Sequence, residues 1–186
     1  MAYRNGNYCA FYVPEPFSPS GLAAYATKDF VYYNTLKAWK GQDASFPFID
    51  SHEKTYSVRD GSNWEYTLKP RLQERLRNSK NIVLFLSVRT KNSQALREEI
   101  RYGIEQQSLP VIVIYPDYET KESLLLNGVL SPQIQSLWNN LPVFRDSMGK
   151  VPTLHIPMNK DLIRQSLQDT GFTVSSPNKI DVYRYK

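Results

Sequence analysis

The chain has 186 residues, 41% of them hydrophobic and 22% charged, with a net charge of +5 at pH 7. These proportions exclude a fibrous, low-complexity or disordered chain, and the length suits one domain with a single core. With Cys9 the single cysteine and His52 and His155 the two histidines, an intrachain disulfide and a Cys/His metal site are excluded as well.

The N-terminal "MAYRNGNYCAFYV" lacks the apolar core and cleavage site of a signal peptide. Its end, "YCAFYV" at 8–13, reads as a first strand, in which Cys9 is a small buried hydrophobe. A proline-rich loop, "PEPFSPSG" at 14–21, precedes a helical pattern over 27–40. A second strand, "FPFI" at 46–49, leads into the loop "DSHEKTYSVRDG" at 50–61. The next helix, over 63–79, opens on "SNWE", where Ser62 and Glu65 have capping-box spacing. Pro70 would kink it unless its regular part starts nearer Thr67, and Leu68, Leu72 and Leu76 should face the sheet. "NIVLFLS" at 81–87, "PVIVIY" at 110–115 and "PTLHIP" at 152–157 supply three more strands, alternating with helices over 93–107, 131–139 and 159–169.

Several of these strands are continuous apolar runs, as expected when helices cover both faces of a parallel sheet, and the alternation predicts a doubly wound α/β domain. We expect one domain over 1–170, with a C-terminal extension over 171–186 that could add an edge strand, make a subunit contact or be disordered. Apolar runs such as "IVLFL" fall far short of the roughly 20 residues of a membrane span, so no membrane partner and a cytoplasmic location are expected. The basic residues are scattered; the densest stretch, "KPRLQERLRNSK" at 69–80, has the interleaving of a solvated helix face, which argues against nucleic acid and would equally suit an anionic small molecule.

In an open parallel sheet, ligands bind beyond the carboxyl ends of the strands, where the loops at 14–21 and 50–61 should lie. Neither is glycine-rich, and the chain has no GxGxxG, no GxxxxGK[ST] and no GxSxG elbow. Attention then falls on "NSQALREEI" at 92–100. At about 100° per residue, Leu96, Ile100, Gly103 and Ile104 form a sheet-facing stripe. Glu99 lies on its edge, while Glu98 points to solvent beside Arg101. A carboxylate held near a helix N-terminus is favoured in its ionised form. From pattern alone, Glu99 is either a functional carboxylate or a boundary residue paired with Arg59, Arg89 or another cation.

Residues 50–115, from "DSHEKTYSVRDG" through "NIVLFLS", the threonine-containing turn, "LREEI" and "VIVIY", resemble the TIR-like domain of bacterial Thoeris antiphage systems, the ThsB family. The resemblance implies a flavodoxin-like, three-layer α/β domain with a central five-stranded parallel sheet. It implies an enzyme that consumes NAD as substrate, with no further cofactor. The nicotinamide-ribose bond would be cleaved and an ADP-ribose-derived messenger, cyclic or conjugated, would activate an effector protein of the same system. Assembly into homo-oligomers belongs to the same expectation. The family's catalytic glutamate sits early in the helix after the third strand, before an apolar residue, which is the position of Glu99 followed by Ile100. One carboxylate suits the chemistry, because breaking the bond develops oxocarbenium character that an ionised group beside the ribose stabilises.

The same resemblance places Phe11, Tyr12 and Val13 against the nicotinamide or adenine, with core packing the alternative for the aromatics. Asp50, Ser51 and His52 would bind ribose or phosphate, or merely stabilise a turn. Ser87 would lie near Glu99, or act as a cap; Trp64 would cover the pocket or pack beneath it; Arg59 and Arg89 would meet the diphosphate. Leu96, which stands where many TIR domains carry an aromatic residue three before the glutamate, is counted with these as a substrate-binding residue. Two other readings compete: a non-catalytic TIR-like module that binds a protein or nucleotide, and a nucleoside deoxyribosyltransferase-type enzyme of similar architecture.

Overall fold

A computed structural model describes residues 4–13, 28–52 and 63–185. Its frame is a five-stranded, all-parallel sheet in the order β1-β2-β3-β6-β7. The strands are β1 (Gly6–Ala10), β2 (Ser79–Phe85), β3 (Val111–Tyr115), β6 (Thr153–Pro157) and β7 (Val182–Arg184). Helices α1 (Lys28–Gln42), α2 (Lys69–Arg77), α3 (Gln94–Arg101) and α6 (Lys160–Gln168) cover it, with the short α4 (Pro132–Leu137) and α5 (Pro142–Ser147). This is the flavodoxin-like α/β fold.

Two buried clusters lie on the two faces of the sheet, which explains the continuous apolar runs. Along β2, Ile82, Leu84 and Leu86 join Leu72, Leu76, Leu96 and Ile100 on the α2/α3 face. Val83 and Phe85 join Leu36 and Ile163 on the α1/α6 face. A residue pointing either way leaves water, so successive positions of a strand are apolar.

The second predicted strand differs from expectation. Residues 46–49 form no extended ladder; contact with β1 is one parallel bridge, Asn7 to Asp50. Asn7 occupies the backbone of this segment, its N–H donating to the Ile49 carbonyl at 2.6 Å and its side-chain Oδ1 accepting from the Ile49 N–H at 2.9 Å. The fifth strand of the sheet comes instead from the tail: Val182–Arg184 pairs with Thr153–His155. The bridge segment lies beside β1 and β2 lies on its other side, so the chain reverses direction across the sheet between β1 and β2, the switch point where such folds open a crevice.

Helix boundaries follow local chemistry. Pro70 sits in the first turn of α2, where its missing N–H costs nothing, after a wider π turn over Trp64–Leu68. The cap of that turn is Asn63, whose Oδ1 accepts from the N–H groups of Glu65 at 2.9 Å and Tyr66 at 3.2 Å. Ser62, the expected capping residue, lies outside the described residues, as do Arg59 and the 14–21 loop. Sequence periodicity missed α5 and a small hairpin of β4 (Leu125–Leu126) and β5 (Val129–Leu130). Its turn is Asn127-Gly128 with φ of 51° and 79°, the pair that a type I′ hairpin favours. No helix among the described residues is long and apolar enough to cross a membrane.

Candidate functional site

Glu99 lies in the second turn of α3, whose N-cap Ser93 accepts from the Leu96 N–H at 3.3 Å. Helix phase puts Leu96 and Ile100 into the sheet-facing cluster, and Glu99 beside them is only 8% exposed. Tyr8, projecting from β1 onto the same face, donates its hydroxyl to Glu99 Oε1 at 2.8 Å. The other oxygen, Oε2, is buried with no hydrogen-bond partner among the described residues.

The electrostatics follow from that burial. Desolvation pushes the Glu99 pKa up to about 8, opposed by the Tyr8 hydrogen bond and the Arg75 cation of α2. The sequence reading expected the helix N-terminus to favour the anion. Glu99 sits too far into α3 to meet a free amide, and loss of water outweighs the dipole. At neutral pH the carboxyl therefore holds its proton. Removing the Tyr8 hydroxyl removes an interaction that favours the anion, so Tyr8→Phe should raise the Glu99 pKa further. A carboxyl carbon NMR titration of wild type and variant measures this; an unchanged midpoint would contradict the contact.

Glu98 corrects the helix-phase expectation. It is 7% exposed rather than solvated: Oε1 accepts from Gln73 Nε2 at 2.8 Å, and Oε2 from Arg101 Nη2 at 2.7 Å. Periodicity identifies the face that meets the sheet, yet it does not reveal that α2 closes over the neighbouring face of α3.

His52 flanks the Tyr8–Glu99 pair. Its ring centroid is 4.5 Å from that of Tyr8, and Nε2 lies 3.0 Å from the Cys9 carbonyl, which can only accept. Burial lowers its pKa to about 4, against the pull of Asp50, so the ring is a neutral donor at Nε2. Asp50 makes an Asx-type turn, accepting from the His52 N–H at 2.8 Å on Oδ1 and from the Tyr33 hydroxyl on Oδ2. Ser79 donates to the Arg75 carbonyl at 2.8 Å and receives the Ser51 hydroxyl at 2.7 Å. Ser51 also packs on Gly6, where an added Cβ would lie 2.2 Å from its Oγ. Asp50, Ser51 and His52 thus fasten the bridge segment to β1 next to Glu99. Cys9 is buried behind them, its thiol pushed up well above its ordinary value by burial and by the carboxylates of Asp50 and Glu99.

A second group gathers at the carboxyl ends of β1 and β2, on the α1 side. Ser87 donates to Asp29 Oδ1 at 3.2 Å and accepts from the Arg89 N–H at 3.2 Å. Ser87 is thus bonded to Asp29, a residue the sequence reading did not select, rather than to Glu99. Asp29 is 1% exposed and its Oδ2 has no partner among the described residues. Burial raises its pKa, against hydrogen bonds from Ser87 and the Tyr12 backbone and the charge of Arg89. Arg89 is exposed and acts here through its charge.

The remaining selected residues are packing elements in this structure. Phe11 stacks on Tyr33 at 5.5 Å and meets Phe30 edge-on at 6.0 Å. Leu96 is fully buried. Tyr12 and Trp64 are half-buried against the α2/α3 cluster, and Val13 against the other. Sequence reasoning missed Tyr8, Asp29 and Arg75. Tyr8 alone had a signal, since alternation along β1 sends it to the same layer as Leu96.

The site is thus a buried carboxyl on the helix after β2, beside the switch point of a flavodoxin-like sheet. Residues 8–121 match the family model described as Thoeris protein ThsB, TIR-like domain. The chain belongs to that family of antiphage-defence proteins.

Proposed function

We propose that this protein is an NAD-consuming enzyme whose essential carboxyl is Glu99. The observation that carries the reading is the Glu99 carboxyl itself: buried on the helix after β2, oriented by Tyr8, and with one oxygen uncommitted. The nicotinamide ring of NAD is cationic, and a cation beside a carboxyl of raised pKa drives it to ionise, its proton passing to solvent water. Nicotinamide then leaves with the glycosidic electron pair, and the Glu99 carboxylate stabilises the positive charge developing at the ribose C1′. An acceptor closes the reaction by attacking C1′ and releasing its proton. Water gives ADP-ribose, an internal group gives a cyclic isomer, and an amine gives a conjugate. The product is a messenger for an effector of the same defence system.

Nicotinamide release by the purified protein, with lysate from phage-infected cells as trigger, tests this reading. Glu99→Gln should abolish release, whereas Glu98→Gln should retain it. The rate at subsaturating NAD should rise with pH toward the Glu99 pKa of about 8, since the free enzyme must lose that proton. Equal activity of the two variants would overturn the assignment.

One observation favours a second reading, a non-catalytic interaction module: Glu99 is as buried as a structural residue. That reading predicts no product under any trigger, and an interface sensitive to the exposed charges of Arg97 and Arg101.

A further inference from the structure

The register of β1 against β2 runs out at the pair Ala10–Leu84. Beyond it, at the carboxyl ends of the two strands that flank the switch point, Asp29 of α1 takes a hydrogen bond from each side. The Tyr12 backbone N–H, past the end of β1, bonds its carboxyl, and the Ser87 hydroxyl, past the end of β2, donates to its Oδ1 at 3.2 Å. One side chain thus fastens α1 to both strand ends. Asp29 is buried, and its Oδ2 has no partner among the described residues. A buried carboxyl oxygen without a partner costs stability, so a residue that keeps one calls for a role other than stability.

Ser87 is the hub of the turn that leads from β2 to α3, the helix of Glu99. Its N–H donates to Thr90 Oγ1 at 2.9 Å, and its carbonyl accepts from the Thr90 N–H at 3.1 Å and from Asn140 Nδ2 at 3.4 Å. Its hydroxyl oxygen accepts from the Arg89 N–H at 3.2 Å. The turn then delivers Ser93 as the cap of α3. Of the Ser87 partners Asp29 alone belongs to α1, so it ties the start of α3 to the other side of the switch point. The Tyr8–Glu99 hydrogen bond crosses the same division on the opposite face of the sheet, from β1 to α3, at 2.8 Å. It forms only while β1 and α3 keep their spacing.

We propose that Asp29 is a positioning residue for the reaction assigned to Glu99: acting through Ser87 and Tyr12, it holds the β2–α3 turn against β1 so that the Glu99 carboxyl meets both Tyr8 and the substrate ribose. A misplacement of about 1 Å at a reacting group costs roughly 100-fold in rate, so a small slackening of this anchor is felt at the chemistry. Its consequence for the rate rests on the NAD-consuming reading, whereas its consequence for the Glu99 carboxyl does not.

Ser87→Ala and Asp29→Ala each remove the anchor, and Asp29→Asn keeps an acceptor oxygen for it. In carboxyl carbon NMR titrations of the full chain without substrate, both alanine variants should lower the Glu99 midpoint from about 8 by about one pH unit. Water reaches a loosened site, and burial is the largest cause of the raised value. Asp29→Asn should leave the midpoint in place, even where its buried amide lowers the melting temperature. Nicotinamide release with infected lysate as trigger should fall about tenfold in kcat for the alanine variants, with KM within about twofold of wild type, and recover in Asp29→Asn. Ser87→Ala deletes a single oxygen and serves where Asp29→Ala fails to fold. Alanine variants that melt earlier yet keep the wild-type midpoint would overturn the proposal and leave Asp29 and Ser87 as structural residues. An Asp29→Asn midpoint moved as far as that of Asp29→Ala would overturn it by assigning the effect to charge. Wild-type protein that releases no nicotinamide would overturn the NAD-consuming reading, with the midpoints still deciding the anchor.

Discussion

Glu99→Gln is expected to raise the melting temperature of the protein by about 10 °C at pH 8 and to leave it nearly unchanged at pH 4. The folded-state pKa of Glu99 is raised from 4.5 to about 8, so the folded chain keeps a proton that the unfolded chain gives up. Stability is intact below pH 4.5 and declines as pH rises toward 8, by a total on the order of 4 kcal/mol. A glutamine has the shape of the protonated glutamate, keeps a carbonyl for the Tyr8 hydroxyl and never ionises. The penalty then vanishes at high pH. Melting curves of both proteins at the two pH values check this; a difference independent of pH would show that Glu99 is ionised in the folded state. Such a trade between stability and activity is common where a site holds a destabilised group.

The second large effect concerns Leu96. As a lining residue of a nicotinamide pocket, it would alter substrate affinity when truncated and leave folding untouched. In the structure it is fully buried in the α2/α3 cluster with Leu72, Leu76, Leu84 and Ile100. Leu96→Ala should therefore cost about 3 kcal/mol through lost burial and the cavity left behind, lowering the melting temperature by about 6–12 °C. A variant with wild-type melting behaviour and weakened NAD binding would return Leu96 to the pocket.

The layers of the fold were legible because they rest on local, repeated signals. Continuous runs such as "VIVIY" announced strands covered on both faces, and the Leu96, Ile100, Ile104 stripe announced the helix that follows β2. The edges were less legible because they depend on long-range pairing. Asn7 and Ile49 had to meet for the second strand to appear as a single bridge, and Val182–Arg184 had to return beside β6. Nothing local in "KIDVYRYK" sets it apart from a free tail. At the site, helix phase was enough to separate Glu99 from the solvent face, but it could not show that α2 also covers Glu98. It also could not foresee Tyr8 reaching across 91 positions to Glu99, or Ser87 choosing Asp29. Those contacts are set by the packing of separate elements, and the burial they produce reverses the charge expected for Glu99 from its helix alone.

The most direct test of the central claim is mass spectrometry of nucleotides from cells expressing the protein, with and without phage challenge, comparing wild type with Glu99→Gln. The account predicts nicotinamide release and a new ADP-ribose-related mass in wild-type cells under challenge, both absent from the variant. A folded wild-type protein that yields no Glu99-dependent product across several phages would contradict it and leave the interaction module as the better reading.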